Sequence, residues 1–306
     1  MRILILGATS AIGKCLVRRL VKNAHNLIIA VVRDKSIADF GQFQNLKILQ
    51  FDMKQYFNIC NYYTDAFDWV IPFTWSGLAA KTRTSYDVHK MSYEIMSSFC
   101  KMLIDKKIVN GFITPGTQVE YGAYINNGNF MEDAECHPLN AYGAMKFLFF
   151  QSINNSSRSK GIKHYHIRFY SVYSEEDKDR KIVNHVAKAV ANKHRILLES
   201  DCSQSWNLLY VDDAVNAIIQ MMNGNIPDGI YNVGHGDSRQ LKNYLKTIDT
   251  IGSNSNYILF GNENNKNSIM AECRIDKILS TGAWIPTITW EAGANKLLSH
   301  YKTWKF

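Results

Sequence analysis

The sequence predicts an α/β fold: a doubly wound parallel sheet with a smaller, mixed C-terminal domain. Three observations predict it. Short apolar runs alternate with helical apolar spacing from the first residues to residue 169. The first run enters a glycine turn that opens directly into a helix. No low-complexity segment, long linker or internal repeat interrupts the alternation. A regular βα order of this kind requires crossover helices and a parallel sheet.

Residues 2–6 (Arg-Ile-Leu-Ile-Leu) read as a short buried strand. Gly7-Ala8-Thr9-Ser10-Ala11-Ile12-Gly13 follows, and Leu16, Val17 and Leu20 then mark a helical period. Gly7 permits a tight turn, and Gly13 allows the helix to pack closely on the strand. The helix N-terminus is a site for a pyrophosphate. Thr9, Ser10, Ala11 and Ile12 complete the loop. Ser10 stands where the usual pattern has its middle glycine. It is small enough to let phosphates approach.

Residues 27–32 form a second buried strand ending in Arg33-Asp34. An acidic residue there takes the ribose 2′-hydroxyl of NAD, and an Arg accommodates the 2′-phosphate of NADP. Arg33 comes first, so NADPH is the expected cofactor, with NAD, through Asp34, as the alternative. Residues 46–51 make the third strand, and Asp52 and Met53 sit at its carboxyl end to meet an adenine. Residues 68–73 are the fourth. Phe73 and Thr74 then lead into Trp75, Ser76 and Gly77 at the carboxyl edge of the sheet, where ligands bind in such folds.

Val88, Met91, Ile95, Met96, Phe99 and Leu103 set a helix over about 85–106. Residues 109–113 are the fifth strand, and the stretch from Gly116 to Gly122 follows it. A helix carrying Tyr142 and Lys146 continues through Ile153, and residues 161–169 form the sixth strand. Beyond 170 the pattern loosens. Helices are expected over 182–191, 240–248 and 291–301, and short strands at 196–198, 208–211 and 229–234. Asp212 and Asp213 are placed to cap a helix that ends near Met222. The expected division is a dinucleotide-binding domain over 1–169 and a substrate lid over 170–306. Segments near 208–245 are expected to return to the first domain.

The chain has 306 residues, 46% hydrophobic and 20% charged, enough to bury a sizeable core. Cys15, Cys60, Cys100, Cys136, Cys202 and Cys273 are dispersed with no C-x-x-C. They read as reduced thiols of a cytoplasmic protein, and no metal site is expected. The apolar run at the N-terminus breaks at Gly7, too short for a signal peptide, and no run reaches the length of a membrane span. The formal charge is +8, but Lys and Arg are scattered without a nucleic-acid motif. No nucleic-acid or membrane partner is expected. A modest basic bias suits an enzyme whose substrate and cofactor both carry phosphates.

Tyr142 and Lys146 are i and i+4, so on a helix they share a face. A phenol titrates near ~10. An ammonium held close by lowers that value and makes the tyrosine usable as a proton donor or acceptor. Alone, the pair reads equally as a half-buried tyrosine beside a surface lysine, and Thr117 as a strand-end hydroxyl in a turn. The nucleotide fold gives them weight, because it brings Thr117, Tyr142 and Lys146 to one sheet edge. Reducing a ketone needs a hydride on one face and a proton on the developing alkoxide; nicotinamide supplies the first and a tyrosine the second.

Taken together, Gly7-x5-Gly13, Asp52-Met53, the Thr117 stretch closing on Tyr121-Gly122, and Tyr142-x3-Lys146 form a set. Arg168-Phe169-Tyr170-Ser171-Val172-Tyr173, Tyr210-Val211-Asp212-Asp213 and Tyr231-Asn232-Val233-Gly234 extend it over the whole chain. The set resembles the extended short-chain dehydrogenase/reductases of the NAD-dependent epimerase/dehydratase family, Rossmann proteins that act on nucleotide-activated sugars. The resemblance implies Tyr142 as general acid/base. It implies that Lys146 lowers the tyrosine's pKa and holds the nicotinamide ribose, and that Thr117 bonds the reacting sugar oxygen. Trp75, Gln118, Glu120, Tyr170, Ser171 and Trp206 are implied as substrate contacts.

Trp75-Ser76-Gly77, Glu120-Tyr121-Gly122 and the layout ending Thr281-Gly282-Ala283-Trp284-Ile285-Pro286 look most like bacterial 4-ketoreductases. Those make deoxysugars from CDP- or dTDP-4-keto-6-deoxyhexoses, as in abequose and paratose synthesis. The implied function is an NADPH-dependent reductase of a CDP-, dTDP- or GDP-linked 4-keto sugar. The implied assembly is a homodimer through the helices before residue 106 and after Tyr142. An NAD-dependent epimerase and a non-catalytic dinucleotide-binding protein are the alternatives.

The chain departs from the family pattern at three places. Ser174 replaces a common Gly, Trp206 stands where an Arg commonly precedes Tyr210-Val211-Asp212-Asp213, and Asn265, beside Lys266, replaces another frequent Arg. Arg180, Lys181 and Lys266 are the candidate replacements for gripping the substrate's phosphates. Trp206 is read either as a stacking platform for a base or as a tryptophan packed between domains.

Overall fold

A computed structural model describes residues 1–78, 82–122, 129–252, 255–263 and 272–303. Seven strands form one sheet: β1 (Arg2–Leu6), β2 (Leu27–Val32), β3 (Leu46–Gln50), β4 (Trp69–Pro72), β5 (Gly111–Thr117), β6 (Lys163–Phe169) and β7 (Gly229–Val233). Their spatial order is β7-β6-β5-β4-β1-β2-β3. Pairings from β3 to β6 are parallel. The order reverses at β1, the switch point beside which ligands bind in open α/β sheets. The doubly wound sheet expected from the βα alternation is therefore the sheet observed.

The helices are α1 (Ala11–Leu20), α2 (Tyr86–Asp105), α3 (Ala141–Arg158), α4 (Ile182–Ala191), α5 (Val211–Met222), α6 (Leu241–Gly252) and α7 (Trp290–Thr303). Ser10 caps α1 by accepting the Gly13 N–H, and Asn140 caps α3 by accepting the Gly143 N–H. Met96, Phe99 and Leu103 of α2 recur at helical spacing and are fully buried. They share one core cluster with Leu4 and Leu6 of β1, Ile29 and Val31 of β2, and Phe149 and Ile153 of α3.

The chain divides into two compact units. The first holds Met1–Gly122, Glu132–Phe169 and Ile218–Tyr231, and contains α1, α2, α3 and the sheet through β6. The second holds Ala123–Met131, Tyr170–Ala217 and Asn232–Phe306, with α4, α6 and α7.

Three local readings change. The fifth strand, expected over 109–113, starts at Gly111 and runs on through Pro115-Gly116-Thr117. The residues from Gly111 to Thr117 pair in register with Lys163 to Phe169 of β6, whereas β4 meets β5 only at Val70–Phe112. Asp52 begins a 3₁₀ helix, Met53–Asn61, with a reciprocal cap from Gln55; the short apolar spacing gave no sign of it. Asp213 does not cap α5. Its buried carboxylate accepts the N–H groups of Thr287 and Ile288 at 3.0 and 2.9 Å and the Thr287 hydroxyl at 2.8 Å, three bonds that satisfy it better than one cap.

Candidate active site

The carboxyl edge of the sheet in the first unit collects most of the residues singled out from sequence. The β1–α1 turn comes first. Gly7 has φ +72°, and a Cβ there would lie 2.8 Å from the Thr74 nitrogen and hydroxyl, so the β1 and β4 ends approach as only glycine allows. The Ser10 hydroxyl is spent on the Gly13 N–H. Of the first helical turn this leaves the Ala11 and Ile12 N–H groups for an anion. The donor set and the glycine turn fit a dinucleotide pyrophosphate.

Arg33 and Asp34 follow β2, both exposed. Asp34 Oδ1 accepts the Ser36 N–H at 2.9 Å and its hydroxyl at 2.7 Å. These two bonds, the hydroxyl first, hold the Asp34 carboxyl below its ordinary pKa. Asp52 caps its own 3₁₀ helix, and the Met53 side chain is buried in the core, so Met53 offers an adenine its backbone and not its thioether. Phe73 is half-buried after β4. The Thr74 hydroxyl is 2.6 Å from the Tyr56 hydroxyl.

Thr117 ends β5 and caps the 3₁₀ turn Gln118–Glu120. Tyr142 lies in the first turn of α3 and is hydrogen-bonded to the Thr117 side chain. Burial pushes the Tyr142 phenol up to about 12, against the opposing field of the Arg83 guanidinium. Arg83 lies over the Tyr142 ring, 5.2 Å from its centroid. Lys146 is 4% exposed. Its ammonium donates to the Pro115 carbonyl at 2.9 Å and sits 4.2 Å from the centroid of the Trp75 ring. Burial lowers its pKa to about 8, with the Glu120 carboxylate pulling the other way.

This corrects the expectation that Lys146 lowers the tyrosine's pKa. Helical spacing puts both residues on one face, but the ammonium reaches back to β5 and Trp75. Arg83 is the cation that opposes the rise of the phenol, and burial outweighs it.

His89 of α2 was missed from sequence. The Trp75 indole N–H, which can only donate, points to His89 Nδ1 at 3.1 Å. His89 therefore carries its proton on Nε2 and donates it to the Arg83 carbonyl at 3.0 Å. Burial keeps the imidazole's pKa below the ordinary value. Its ring stands 5.4 Å from that of Tyr142. A signal existed: His89 occupies the helical stripe completed by Ser92, Met96, Phe99 and Leu103, where an apolar residue would be ordinary.

Glu120 is not a substrate contact. It is fully buried, and its carboxylate accepts from His166 at 2.8 Å, Arg168 at 3.2 Å and the Thr117 N–H at 2.9 Å. Trp75 is nearly buried and its N–H is taken by His89, so it is a wall and not a polar contact. Gln118 is half-buried in the turn. Tyr170, Ser171 and Trp206 belong to the second unit, where Tyr170 is buried and Ser171 and Trp206 are half-buried. Trp206 pairs with Arg239 across a two-residue antiparallel ladder.

Of the candidates for gripping phosphates, Lys181 is spent on the Val172 carbonyl and on Asp177 at 3.0 Å. Asn265, Lys266 and the Arg180 side chain lie outside the described residues. Among the described residues, no three His, Cys, Asp or Glu side chains are grouped to hold a metal, and no helix is long and apolar enough to cross a membrane.

Comparison with known proteins agrees with this geometry. CDP-abequose synthase of Salmonella muenchen is 23% identical over 315 residues, covering 97% of each chain. The dTDP-D-glucose 4,6-dehydratase of Homo sapiens is 21% identical over 324 residues, covering 98% of this chain and 90% of that one. The structure of UDP-glucuronic acid 4-epimerase from Bacillus cereus, in complex with UDP-glucuronic acid and NAD, superposes with a TM-score of 0.83 at 16% identity and 99% coverage of both chains. Residues 3–234, from β1 through β7, match the profile of the NAD dependent epimerase/dehydratase family. Glycine turn, Thr117 turn and Tyr142–Lys146 helix all fall inside that span, and the chain belongs to the NAD dependent epimerase/dehydratase family, enzymes of the short-chain dehydrogenase/reductase type.

Proposed function

We propose that the protein reduces the ketone of a nucleotide-linked 4-keto-6-deoxyhexose with NADPH, in deoxysugar biosynthesis. One observation speaks against elimination among the family's reactions. Among the described residues, Glu120 is the carboxylate that bears most on Tyr142, and it is fully buried and bonded on both oxygens. Eliminating water from a sugar needs a base for a carbon-bound proton and an acid for the leaving hydroxyl. Gln118 and Val119, which follow Thr117, can be neither. This supports hydride and proton transfer, the chemistry a ketoreductase and an epimerase share, over elimination.

In this reading a phenol pushed up to about 12 keeps its proton at neutral pH, as an acid must. Tyr142 gives that proton to the sugar oxygen as the carbonyl is reduced, and solvent returns it. Thr117 donates a hydrogen bond to the same oxygen. Lys146 holds the nicotinamide ribose, and Ala11 and Ile12 hold the pyrophosphate. NADPH, when bound, supplies the hydride. Gln118, Tyr170, Ser171 and Trp206 are proposed to contact the nucleotide sugar.

Arg33 supports NADPH, since its guanidinium is exposed at the end of β2 while Asp34 is engaged with Ser36. The likeness to CDP-abequose synthase over nearly all of both chains supports a deoxysugar product. A second reading, an NAD-dependent nucleotide-sugar epimerase, is favoured by neighbours such as UDP-glucuronic acid 4-epimerase with NAD. Two copies are proposed to pair through α2 and α3, where Leu148 is exposed. Sedimentation or light scattering tests the pairing.

The test of function is to mix the enzyme with NADPH and a CDP- or dTDP-linked 4-keto-6-deoxyhexose. Loss of NADPH absorbance matched by a reduced sugar is expected. A C4 epimer formed with no added cofactor and no loss of NADPH would replace the reductase with the epimerase.

A further inference from the structure

Beneath the Thr117 turn lies a polar network that the proposed chemistry does not use. Alternation along β6 puts His164, His166 and Arg168 on one face of the strand. Across the ladder, Thr114 pairs with His166, and Gly116 with Arg168. All four polar side chains are buried.

Donor and acceptor accounting orders the protons. Glu120 is an acceptor when ionised, so His166 donates to it from Nε2 at 2.8 Å. That leaves His166 Nδ1 as the acceptor for the Thr114 hydroxyl at 2.9 Å. The Thr114 oxygen, which also lies 3.3 Å from the Tyr165 carbonyl, accepts from His164 Nε2 at 2.9 Å. Arg168 donates from Nε to Glu120 at 3.2 Å, from Nη1 to the Glu132 carbonyl at 3.1 Å and from Nη2 to Cys136 Sγ at 3.1 Å.

Burial alone would push the Glu120 carboxyl up, but His166 and Arg168 outweigh it and hold it below the ordinary range. Burial holds His166 low, and His164 down to about 3, so both imidazoles stay neutral. One anion then faces one guanidinium, which is how a buried charge is tolerated.

The anion closes on Thr117. Glu120 Oε1 accepts the Thr117 N–H at 2.9 Å. In return the Thr117 hydroxyl oxygen accepts the N–H of Val119 at 3.3 Å and that of Glu120, a reciprocal capping box. Both lone pairs of Thr117 are then in use, and its hydroxyl proton is left to donate outward, toward Tyr142. Gly116 makes room for this. A Cβ there would lie 2.4 Å from His166 Nε2 and 2.5 Å from Glu120 Oε1.

We propose that Glu120 is a positioning residue whose anionic carboxylate, seated on His166 and Arg168, locks the Thr117 turn so that the Thr117 hydroxyl can only donate to the reacting oxygen. Glu120 itself never touches substrate. The inference rests on the reading of Thr117 and Tyr142 as the reacting pair, and not on which sugar or cofactor is used.

A double-mutant cycle on the full chain tests it. Glu120→Gln keeps the shape but faces His166 with an amide that cannot accept as a carboxylate does. It should lower kcat by about 10- to 100-fold with KM and cofactor Kd within about threefold, and Thr117→Val by a similar or larger factor. The double variant should be no worse than Thr117→Val within about threefold, because the route through Thr117 is already gone. Losses that multiply, or a loss confined to KM, overturn the proposal.

Should Glu120→Gln not fold, wild-type protein decides. With ¹⁵N-threonine and ¹⁵N-histidine labels, the Thr117 amide should be downfield and protected from exchange, and His166 should be the neutral Nε2–H tautomer. An unprotected Thr117 amide or an Nδ1–H His166 overturns it. A wild type that turns over no nucleotide sugar sinks the proposed function, and these two signals still decide Glu120.

Discussion

Lys146 makes the stability of this fold depend on pH in a direction that can be calculated. The perturbation is the removal of its charge, by pH or by Lys146→Met. The ammonium is 4% exposed, and burial brings its pKa from 10.5 to about 8. Below that value folded and unfolded chains both hold the proton, and the fold carries the full cost of a buried charge. Between pH about 8 and 10.5 the folded chain releases the proton while the unfolded chain keeps it. The unfolded state then binds more protons, so stability rises with pH. At ~1.36 kcal/mol per unit, the fall from 10.5 to about 8 amounts to about 3 kcal/mol at most. About 2 kcal/mol is a sound expectation once relaxation around the buried charge is allowed for. The assay is urea unfolding of the wild type and of Lys146→Met at half-unit steps from pH 7 to 10. The wild type should gain about 2 kcal/mol relative to the variant across that window. Subtracting the variant removes the tyrosines and other groups common to both. A constant difference, or one that shrinks as pH rises, would refute the argument that the ammonium is desolvated against Pro115 and Trp75.

Arg33→Ala should weaken NADPH binding by about tenfold or more, measured by cofactor fluorescence, while Asp34→Ala, whose carboxylate is engaged with Ser36, should leave the NADH Kd within about threefold. The opposite pattern would move the cofactor to NAD. Arg83→Gln removes the exposed guanidinium 5.2 Å from the Tyr142 centroid. Screening limits its worth to ~1 kcal/mol, so kcat should fall about fivefold with cofactor affinity unchanged in parallel titrations. Asp213→Ala strips three hydrogen bonds from Thr287 and Ile288 at a buried site. It should cost about 2–4 kcal/mol, read as a lower urea midpoint at unchanged m.

The β1–α1 turn and the alternation of strands and helices along the chain are legible because their signals are local: a run of apolar residues, a glycine, a helical period. Partners of single side chains are not. The i and i+4 spacing of Tyr142 and Lys146 states that they share a face, and it was read as contact. Side chains on a helix lean back toward its N-terminus, and Lys146 finds the Pro115 carbonyl, 31 residues upstream. The cation opposing the phenol's rise, Arg83, comes from the segment before α2, which no spacing rule connects to α3. Glu120 shows the same limit from the other side. The family resemblance implies it as a substrate contact, yet its partners lie 46 and 48 residues away on β6. The clue was the alternation His164, His166, Arg168. Arg168, always charged on a strand that must be buried in a parallel sheet, demands a buried anion, and Glu120, in the turn that follows β5, is the anion brought to that face.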